Sequence, residues 1–228
     1  MKAERLLFVI FVLVGVLFIV GSTLHFKTLF TFSNFFLIPI LLLYYRCRTR
    51  KLFRPIAVSL VLLYIRDVFL IYGFQSNPEI IWTSFLLAMF LLFLSLITGF
   101  ERSKVHPLEI VSFLIMYGFL TFLFVSLSEL VPEVLPGREI LAYLYLLLLM
   151  FLLAGCFTSY LMKSHLASLW FMVAASSFLV SEVSLFFKVF ILEDFSVNFF
   201  YPFFHVLAYY GLVEYGVRRR RTGKLKYF

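Results

Sequence analysis

Residues 140–160 have the sequence ILAYLYLLLLMFLLAGCFTSY, a continuous apolar run without Asp, Glu, Lys or Arg. About 20 apolar residues is the length that an α-helix needs to cross the hydrocarbon core of a bilayer. Strands of a membrane β-barrel would instead show short segments in which apolar and polar residues alternate. The stretch therefore predicts a transmembrane helix, and similar runs recur along the chain.

Composition extends this prediction to the whole chain. Of its 228 residues 63% are hydrophobic and only 14% are charged, and the mean hydropathy is +1.03. Soluble domains are nearer half apolar and about one quarter charged, so a soluble fold is excluded. We expect an all-α polytopic membrane protein, a single domain over residues 1–228 whose bundle of about eight transmembrane helices lies near residues 6–22, 29–45, 55–74, 80–100, 108–127, 140–160, 169–192 and 199–217.

The basic residues orient these spans. Sixteen of the 20 Lys and Arg residues fall in loops or termini on one side, whereas the other side has only Lys27 and Arg138. Cytoplasmic loops carry the excess of Lys and Arg. Both termini are therefore predicted to be cytoplasmic, in a multi-pass protein of the bacterial cytoplasmic (inner) membrane.

The basic tail at residues 218–226 (RRRRTGKLK) directly follows the last predicted span. We interpret it as an anchor to anionic lipid, worth about 1 kcal/mol per cation near the surface, and we expect no nucleic-acid partner. The chain has two cysteines, Cys47 and Cys156, and both are predicted to lie toward the cytoplasm. Thiols stay reduced there, so no structural disulfide is expected.

Ionisable residues inside spans are costly and usually face the bundle interior. The third span contains Arg66 and Asp67, and the seventh contains Glu182 and Lys188. The eighth contains His205 near its outer end. Counted along the predicted spans, all five lie at or beyond mid-membrane on the outer side, which predicts one polar layer in the outer half.

Helical phase groups further polar residues with this layer, at about 100° per residue. One stripe on the seventh span passes close to Glu182 and consists of Ser177, Ser181, Ser184 and Lys188. A second stripe on the eighth span consists of Tyr201, His205 and Tyr209. Glu214 lies near the inner face, where we expect it to pair with Arg218 one turn later.

Two interpretations of the layer stay open. In the structural one, interhelical ion pairs join Arg66 to Glu182 and Asp67 to Lys188, and lock the third helix to the seventh. In the functional one, the layer binds a polar or amphiphilic ligand that enters from the outer half of the membrane. A mixed metal site of Asp67, Glu182 and His205 is a minor alternative, because His-x-x-x-His and Cys-x-x-Cys patterns are absent; no cofactor is expected.

Several segments resemble the YhhN family of membrane proteins, which includes the lysoplasmalogenases. Residues 35–40 (FFLIPI) resemble the proline-containing second span of that family. Residues 66–70 (RDVFL) resemble its Gly-Asp-x-x-Leu motif, and residues 178–185 (FLVSEVSL) its Phe-x-x-Ser-Asp segment. The pair Tyr209-Tyr210 resembles the tyrosine pair of its last span.

The chain departs from the family pattern at five positions. Asn34 occupies the place of a lysine, Arg66 that of a glycine and Glu182 that of an aspartate. Leu94 and Ile97 lie about where the family has a His-x-x-Tyr pair. Our hypothesis is that Lys188 or Arg66 replaces the missing lysine in holding a lipid phosphate.

The resemblance implies an intramembrane carboxylate pair, Asp67 and Glu182, that cleaves the vinyl ether of a lysoplasmalogen. One acid would protonate the enol ether and the other would stabilise the oxocarbenium-like centre or activate water, as in glycoside hydrolysis. The expected ligand is then a membrane lipid or lysolipid. The expected substrate-binding residues around the acids are Arg66, Lys188, His205, Tyr209 and Ser181.

Three classes of function are therefore compatible with the sequence. A lipid-active hydrolase predicts a cavity beside Asp67 and Glu182. A non-catalytic scaffold, or a subunit of a larger membrane complex, predicts closed ion pairs instead. A transporter is third, because it would need a polar path through both leaflets and the inner half has few ionisable residues.

Overall fold

The computed structural model describes residues 2–49, 52–74, 76–98, 107–163, 165–192 and 194–225. Within these ranges the chain forms eight helices and no strand, which confirms the all-α fold class. The helices are α1 (Lys2–Thr23), α2 (Lys27–Thr49), α3 (Arg54–Ile71), α4 (Pro78–Ile97), α5 (Pro107–Val134), α6 (Glu139–Lys163), α7 (Leu166–Phe190) and α8 (Phe195–Leu225).

The fifth span was predicted to end near residue 127, which is too early, because α5 continues through Pro132 to Val134. Pro132 lies in the last turn, so its missing N–H removes a single helical hydrogen bond. The next turn closes normally, since the N–H of Leu135 donates to the carbonyl of Val131 at 2.9 Å. Gly137, at a φ of +81°, then ends the helical path.

α3 ends three residues before the predicted limit at residue 74. Gly73 adopts a left-handed φ of +99°, a conformation that glycine takes without steric cost. Its N–H donates to the carbonyl of Leu70 at 3.1 Å. This C-terminal stop places Arg66 and Asp67 in the second half of α3, one to two turns from its end.

α8 is central in the bundle, where it packs most extensively against α7 and also contacts α1, α2 and α3. The crossing of α7 and α8 is close because small residues meet there: a Cβ at Gly211 would lie 3.0 Å from that of Ala174. Small residues let membrane helices approach in this way. α5 packs against α6 at the periphery, and most of its side chains point outward.

Six of the described helices are long and apolar enough to cross a membrane, namely α1, α2, α4, α5, α6 and α7. The other two, α3 and α8, carry ionisable residues inside the bundle, as α7 does with Glu182. α3 contains Arg66 and Asp67, and α8 contains His205 and Glu214, and all four side chains are buried. The two polar helices therefore turn their charges toward the interior of the bundle.

The outer surface of the bundle is apolar, and on α5 it exposes Leu114, Ile115 and Phe122. Such a surface would be unfavourable in water, but it matches the hydrocarbon of a bilayer. An apolar surface around a buried polar interior defines a multi-pass helical membrane protein.

Basic residues bring several helix ends together at one end of the bundle. Arg48, near the end of α2, lies 3.4 Å from Glu4 of α1 and bonds to the buried Glu214 of α8. Glu214 also accepts from Arg218 at 3.0 Å, which confirms the predicted pair. Arg219 donates to the carbonyl of Ser95, near the end of α4, at 2.7 Å. The helix ends assigned to the cytoplasm by charge thus meet in one place.

The two native cysteines test the predicted orientation. Cys47 is exposed near the basic end and Cys156 is buried, and both are free thiols. We expect a membrane-impermeant maleimide to label the chain in inside-out vesicles and not in spheroplasts. Cys47→Ser should abolish the labelling, whereas the matched Cys156→Ser should leave it unchanged. Labelling of Cys47 in spheroplasts would contradict a cytoplasmic basic end.

Candidate functional site

Arg66 lies between the two acids that the sequence singled out. Its Nη2 is 2.5 Å from Oε2 of Glu182 on α7, and its Nη1 is 3.5 Å from Oδ1 of Asp67. All three side chains are buried. The predicted pair of Arg66 and Glu182 is confirmed, and one guanidinium bridges both carboxylates.

Asp67 takes a second set of partners from α8. Its Oδ2 lies 3.0 Å from Nε2 of His205 and accepts a hydrogen bond from the hydroxyl of Tyr209 at 2.5 Å. Nδ1 of His205 is in turn 3.2 Å from Oγ of Ser181 on α7. Six of the seven predicted site residues therefore belong to one continuous polar layer, which consists of Arg66, Asp67, Ser181, Glu182, His205 and Tyr209.

Lys188 is the predicted site residue that lies apart from this layer. Its ammonium donates to Oγ of Ser22 on α1 at 3.1 Å and lies 5.8 Å from the ring centres of Phe30 and Tyr201. The proposed pair of Asp67 with Lys188 was therefore wrong, since Asp67 is held by Arg66, His205 and Tyr209. Residues 182 and 188 are six apart, so at about 100° per residue they point to different sides of α7.

A cavity of about 70 Å³ lies on the side of Glu182 that faces away from α8. Arg66 and Glu182 line it, together with Trp82 of α4 and Tyr145 of α6, whose hydroxyl donates to Oε2 of Glu182. The remaining walls are apolar and come from the α3–α4 loop and from α4, α5, α6 and α7: Phe74, Ile81, Leu127, Val131, Leu135, Ala142, Leu146, Leu149, Val183, Leu185, Phe186, Val189 and Phe190.

Sequence reasoning missed Trp82 and Tyr145. Both are polar-tipped aromatic residues inside largely apolar spans, and a buried Trp N–H or Tyr O–H normally finds a partner. The polar tips of these two side chains were the signal available in the sequence. The signal did not identify the partner of Tyr145, because that partner lies 37 residues away on another helix.

Three polar atoms of the lining residues have no hydrogen-bond partner among the described residues. They are Nε of Arg66, Nε1 of Trp82 and Oε1 of Glu182. Each of these side chains is more than nine-tenths buried. A buried polar atom without a partner costs about 1–3 kcal/mol, so this end of the cavity offers binding capacity that the protein itself leaves unused.

The arrangement limits which acid can meet a ligand. Glu182 lines the cavity, and Asp67 is not among its lining residues. The guanidinium of Arg66 occupies the space between the two carboxylates. A ligand in the cavity therefore contacts Glu182 directly and senses Asp67 through Arg66.

The described residues contain no group of three His, Cys, Asp or Glu side chains arranged to hold a metal ion. The mixed site of Asp67, Glu182 and His205 is therefore not formed. The physical reason is that Arg66 separates the two acids, while His205 bonds to the oxygen of Asp67 that points away from it.

The residues at which the chain departs from the YhhN pattern have different surroundings. Asn34 is buried, and its Nδ2 donates to the backbone carbonyl of Asp67 at 3.3 Å. Leu94 and Ile97 are exposed on the outer surface of α4. Asn34 thus supports the polar layer, whereas Leu94 and Ile97 face lipid.

Comparison of the chain with protein-family models, with curated proteins and with solved structures returns no match. Fold and site together define the class: a multi-pass helical membrane protein with a buried ionic layer that borders a cavity.

Removal of the central cation tests the ionic layer. Arg66→Met leaves Asp67 and Glu182 buried without their shared partner, and breaking a buried pair in this way costs about 3–5 kcal/mol. We expect a clear fall in the midpoint of thermal unfolding in detergent. The double variant Arg66→Met/Glu182→Gln should recover part of the loss, because one uncompensated charge is removed.

Arg138→Met is the matched control, since Arg138 is exposed outside the layer. This variant should unfold at the same temperature as the native chain. Equal unfolding temperatures for Arg66→Met and Arg138→Met would show that the layer does not stabilise the bundle.

Proposed function

We propose that this protein binds a membrane lipid with a single aliphatic chain, whose polar group occupies the end of the cavity at Arg66, Trp82 and Glu182. The observation that carries the proposal is the set of three unpaired polar atoms on buried residues that line one otherwise apolar cavity. We place this activity in the bacterial cytoplasmic membrane, on the strength of the charge distribution.

Access from the lipid phase supports the proposal. Val189 lines the cavity and is 38% exposed, so one wall of the cavity lies at the outer surface of the bundle. Its lining comes from the C-terminal halves of α3, α5 and α7 and the N-terminal halves of α4 and α6. These segments lie at the end of the bundle opposite the arginine-rich end. We infer that the ligand enters laterally, from the outer half of the membrane.

Energetics support recognition through the polar group. An aliphatic chain gains little by moving from lipid into an apolar cavity, because lipid tails are as apolar as leucine. Each unpaired buried polar atom, in contrast, costs about 1–3 kcal/mol until a partner arrives. Affinity should therefore come from the three polar atoms, and the apolar walls should fix the direction of the chain.

Trp82 provides a direct measurement of binding. The chain has two tryptophans, so Trp170→Phe leaves Trp82 as the single fluorophore. We expect a single-chain lipid brominated along its chain to quench Trp82 fluorescence, with saturation as its mole fraction in the bilayer rises. Ala142→Phe should abolish the saturable part, because residue 142 lines the cavity and a phenyl ring would fill it.

Leu141→Phe is the matched control for this measurement. Leu141 precedes Ala142 on α6 but is exposed to lipid, so saturable quenching should persist. A second control retains Trp170 alone through Trp82→Phe and should show only the linear quenching expected from surrounding lipid. Linear quenching of Trp82 in the native cavity would contradict the proposal.

Hydrolysis of a lysoplasmalogen is the second candidate function. Two observations favour it: both acids contact Arg66, and the free oxygen of Glu182 belongs to a cavity-lining side chain. Glu182 would protonate the alkene carbon of the vinyl ether. Water would then add to the resulting oxocarbenium carbon and return one proton to Glu182, which gives a hemiacetal. Cleavage of the hemiacetal C–O bond would then release an aldehyde and the glycerophospho-base, whose oxygen takes the remaining proton.

Turnover of lysoplasmalogen by purified protein in vesicles tests this candidate. Loss of a general acid costs about 10²–10⁴ in rate, so Glu182→Gln should remove measurable turnover. Lys188→Met should leave turnover and substrate affinity unchanged, because Lys188 contacts Ser22 rather than the cavity. Absent turnover in the native chain, or full turnover in Glu182→Gln, would remove this candidate.

If the protein is a scaffold, we expect the opposite result in both measurements, the quenching of Trp82 and the turnover of lysoplasmalogen. A non-catalytic scaffold or subunit would show neither saturable quenching of Trp82 nor lysolipid turnover. Its ionic layer would serve stability alone.

A further inference from the structure

The unpaired atoms of three residues that line the cavity form a specific hydrogen-bonding set. Nε of Arg66 and Nε1 of Trp82 are donors only, whereas Oε1 of Glu182 is an acceptor when the carboxylate forms its ion pair with Arg66. The site therefore offers two donors and one acceptor. A ligand that satisfies all three must accept twice and donate once.

We propose that the ligand is a long-chain alcohol whose hydroxyl group binds Arg66, Trp82 and Glu182. A hydroxyl has one O–H donor and two acceptor lone pairs, which is the complement of this set. The inference rests on the lipid-binding function proposed above and specifies the head group that the site selects.

Charged head groups do not match the set. A sulfonate or phosphate only accepts, so it would leave Oε1 of Glu182 facing an anion. An ammonium group only donates, so it would leave both N–H groups unpaired and would lie beside the guanidinium of Arg66. An ether accepts but cannot donate, and therefore also leaves Glu182 without a partner.

Local charge supports an uncharged head group. Arg66 is already neutralised by Glu182 at 2.5 Å, with Asp67 at 3.5 Å on the other side. The second oxygen of Asp67 has its own partners in His205 and Tyr209. Two carboxylates against one guanidinium leave no surplus positive charge at this end of the cavity, so an uncharged head group is favoured over an anionic one.

The depth of the site agrees with this inference. Arg66 lies twelve residues beyond Arg54 at the start of α3 and five before its end, so the polar end of the cavity is well inside the bilayer. The apolar walls extend from there toward the end opposite the arginine-rich one. An ionic head group at this depth would be costly, whereas a hydroxyl with three partners is not.

The test compares head groups on one brominated chain, with the Trp170→Phe protein in vesicles and Trp82 fluorescence as the readout. The probes are the primary alcohol, its methyl ether, an alkyl sulfonate, an alkyltrimethylammonium and a lysophosphatidylcholine, each at equal mole fraction in the bilayer. We expect the alcohol to reach half-saturation at a mole fraction about tenfold or more below the methyl ether, because the ether leaves Glu182 unpaired. The three ionic probes should be weaker still.

The outcomes separate this inference from the function on which it rests. Saturable quenching of equal strength by all five probes would overturn the alcohol inference and leave lipid binding in place. Strongest binding of lysophosphatidylcholine would overturn it and favour the hydrolase candidate. Absence of saturable quenching by every probe would overturn both proposals. The panel uses the native cavity residues throughout, so no result depends on the folding of a variant with a broken ion pair.

Discussion

The bridge that Arg66 makes between Asp67 and Glu182 is the interaction on which the rest of the structure depends. A guanidinium that is 1% exposed inside a bilayer cannot remain without acid partners. α3 packs against α2, α4 and α8, and the bond from Arg66 to Glu182 connects it to α7. The position of α3 in the bundle is thus constrained by one buried cation as well as by apolar packing.

The same constraint recruits α8. Because Arg66 gives its closer contact to Glu182, Asp67 obtains its remaining partners from His205 and Tyr209. His205 returns the chain of contacts to α7 through Ser181. A buried polar network is stable only when its members are satisfied, and these contacts satisfy Asp67 fully. They explain why α8, which carries His205 and Tyr209, lies at the centre of the bundle.

The network is complete at Asp67 and incomplete at Glu182. Glu182 has one oxygen held by Arg66 and Tyr145, and its other oxygen has no partner among the described residues. Nε of Arg66 and Nε1 of Trp82 likewise have no partner among the described residues. The unsatisfied side of the network borders the cavity, which is why ligand binding follows from the same interaction that holds the helices together.

Much of the candidate site could be predicted from the sequence, and the limits of that prediction have a clear physical origin. The pair of Arg66 and Glu182 was predictable because buried charges of opposite sign at one depth must meet. The position of Lys188 was not, because its depth is set by α7 but its neighbours are set by how α1 and α2 pack there. Trp82 was missed because its neighbours likewise depend on how separate helices pack.

By itself the sequence determined the helical membrane class, the eight helices, the basic end and the depth of the ionisable residues. Each of these follows from the order of apolar and charged residues along the chain, since position along a helix fixes depth in the bilayer. Only the tertiary structure decided which side chains meet at a given depth: that Arg66 separates the acids, that Tyr145 and Trp82 join Glu182, and that a cavity lies beside it. The reason is that contact between helices depends on their packing and rotation, which distant parts of the chain settle together.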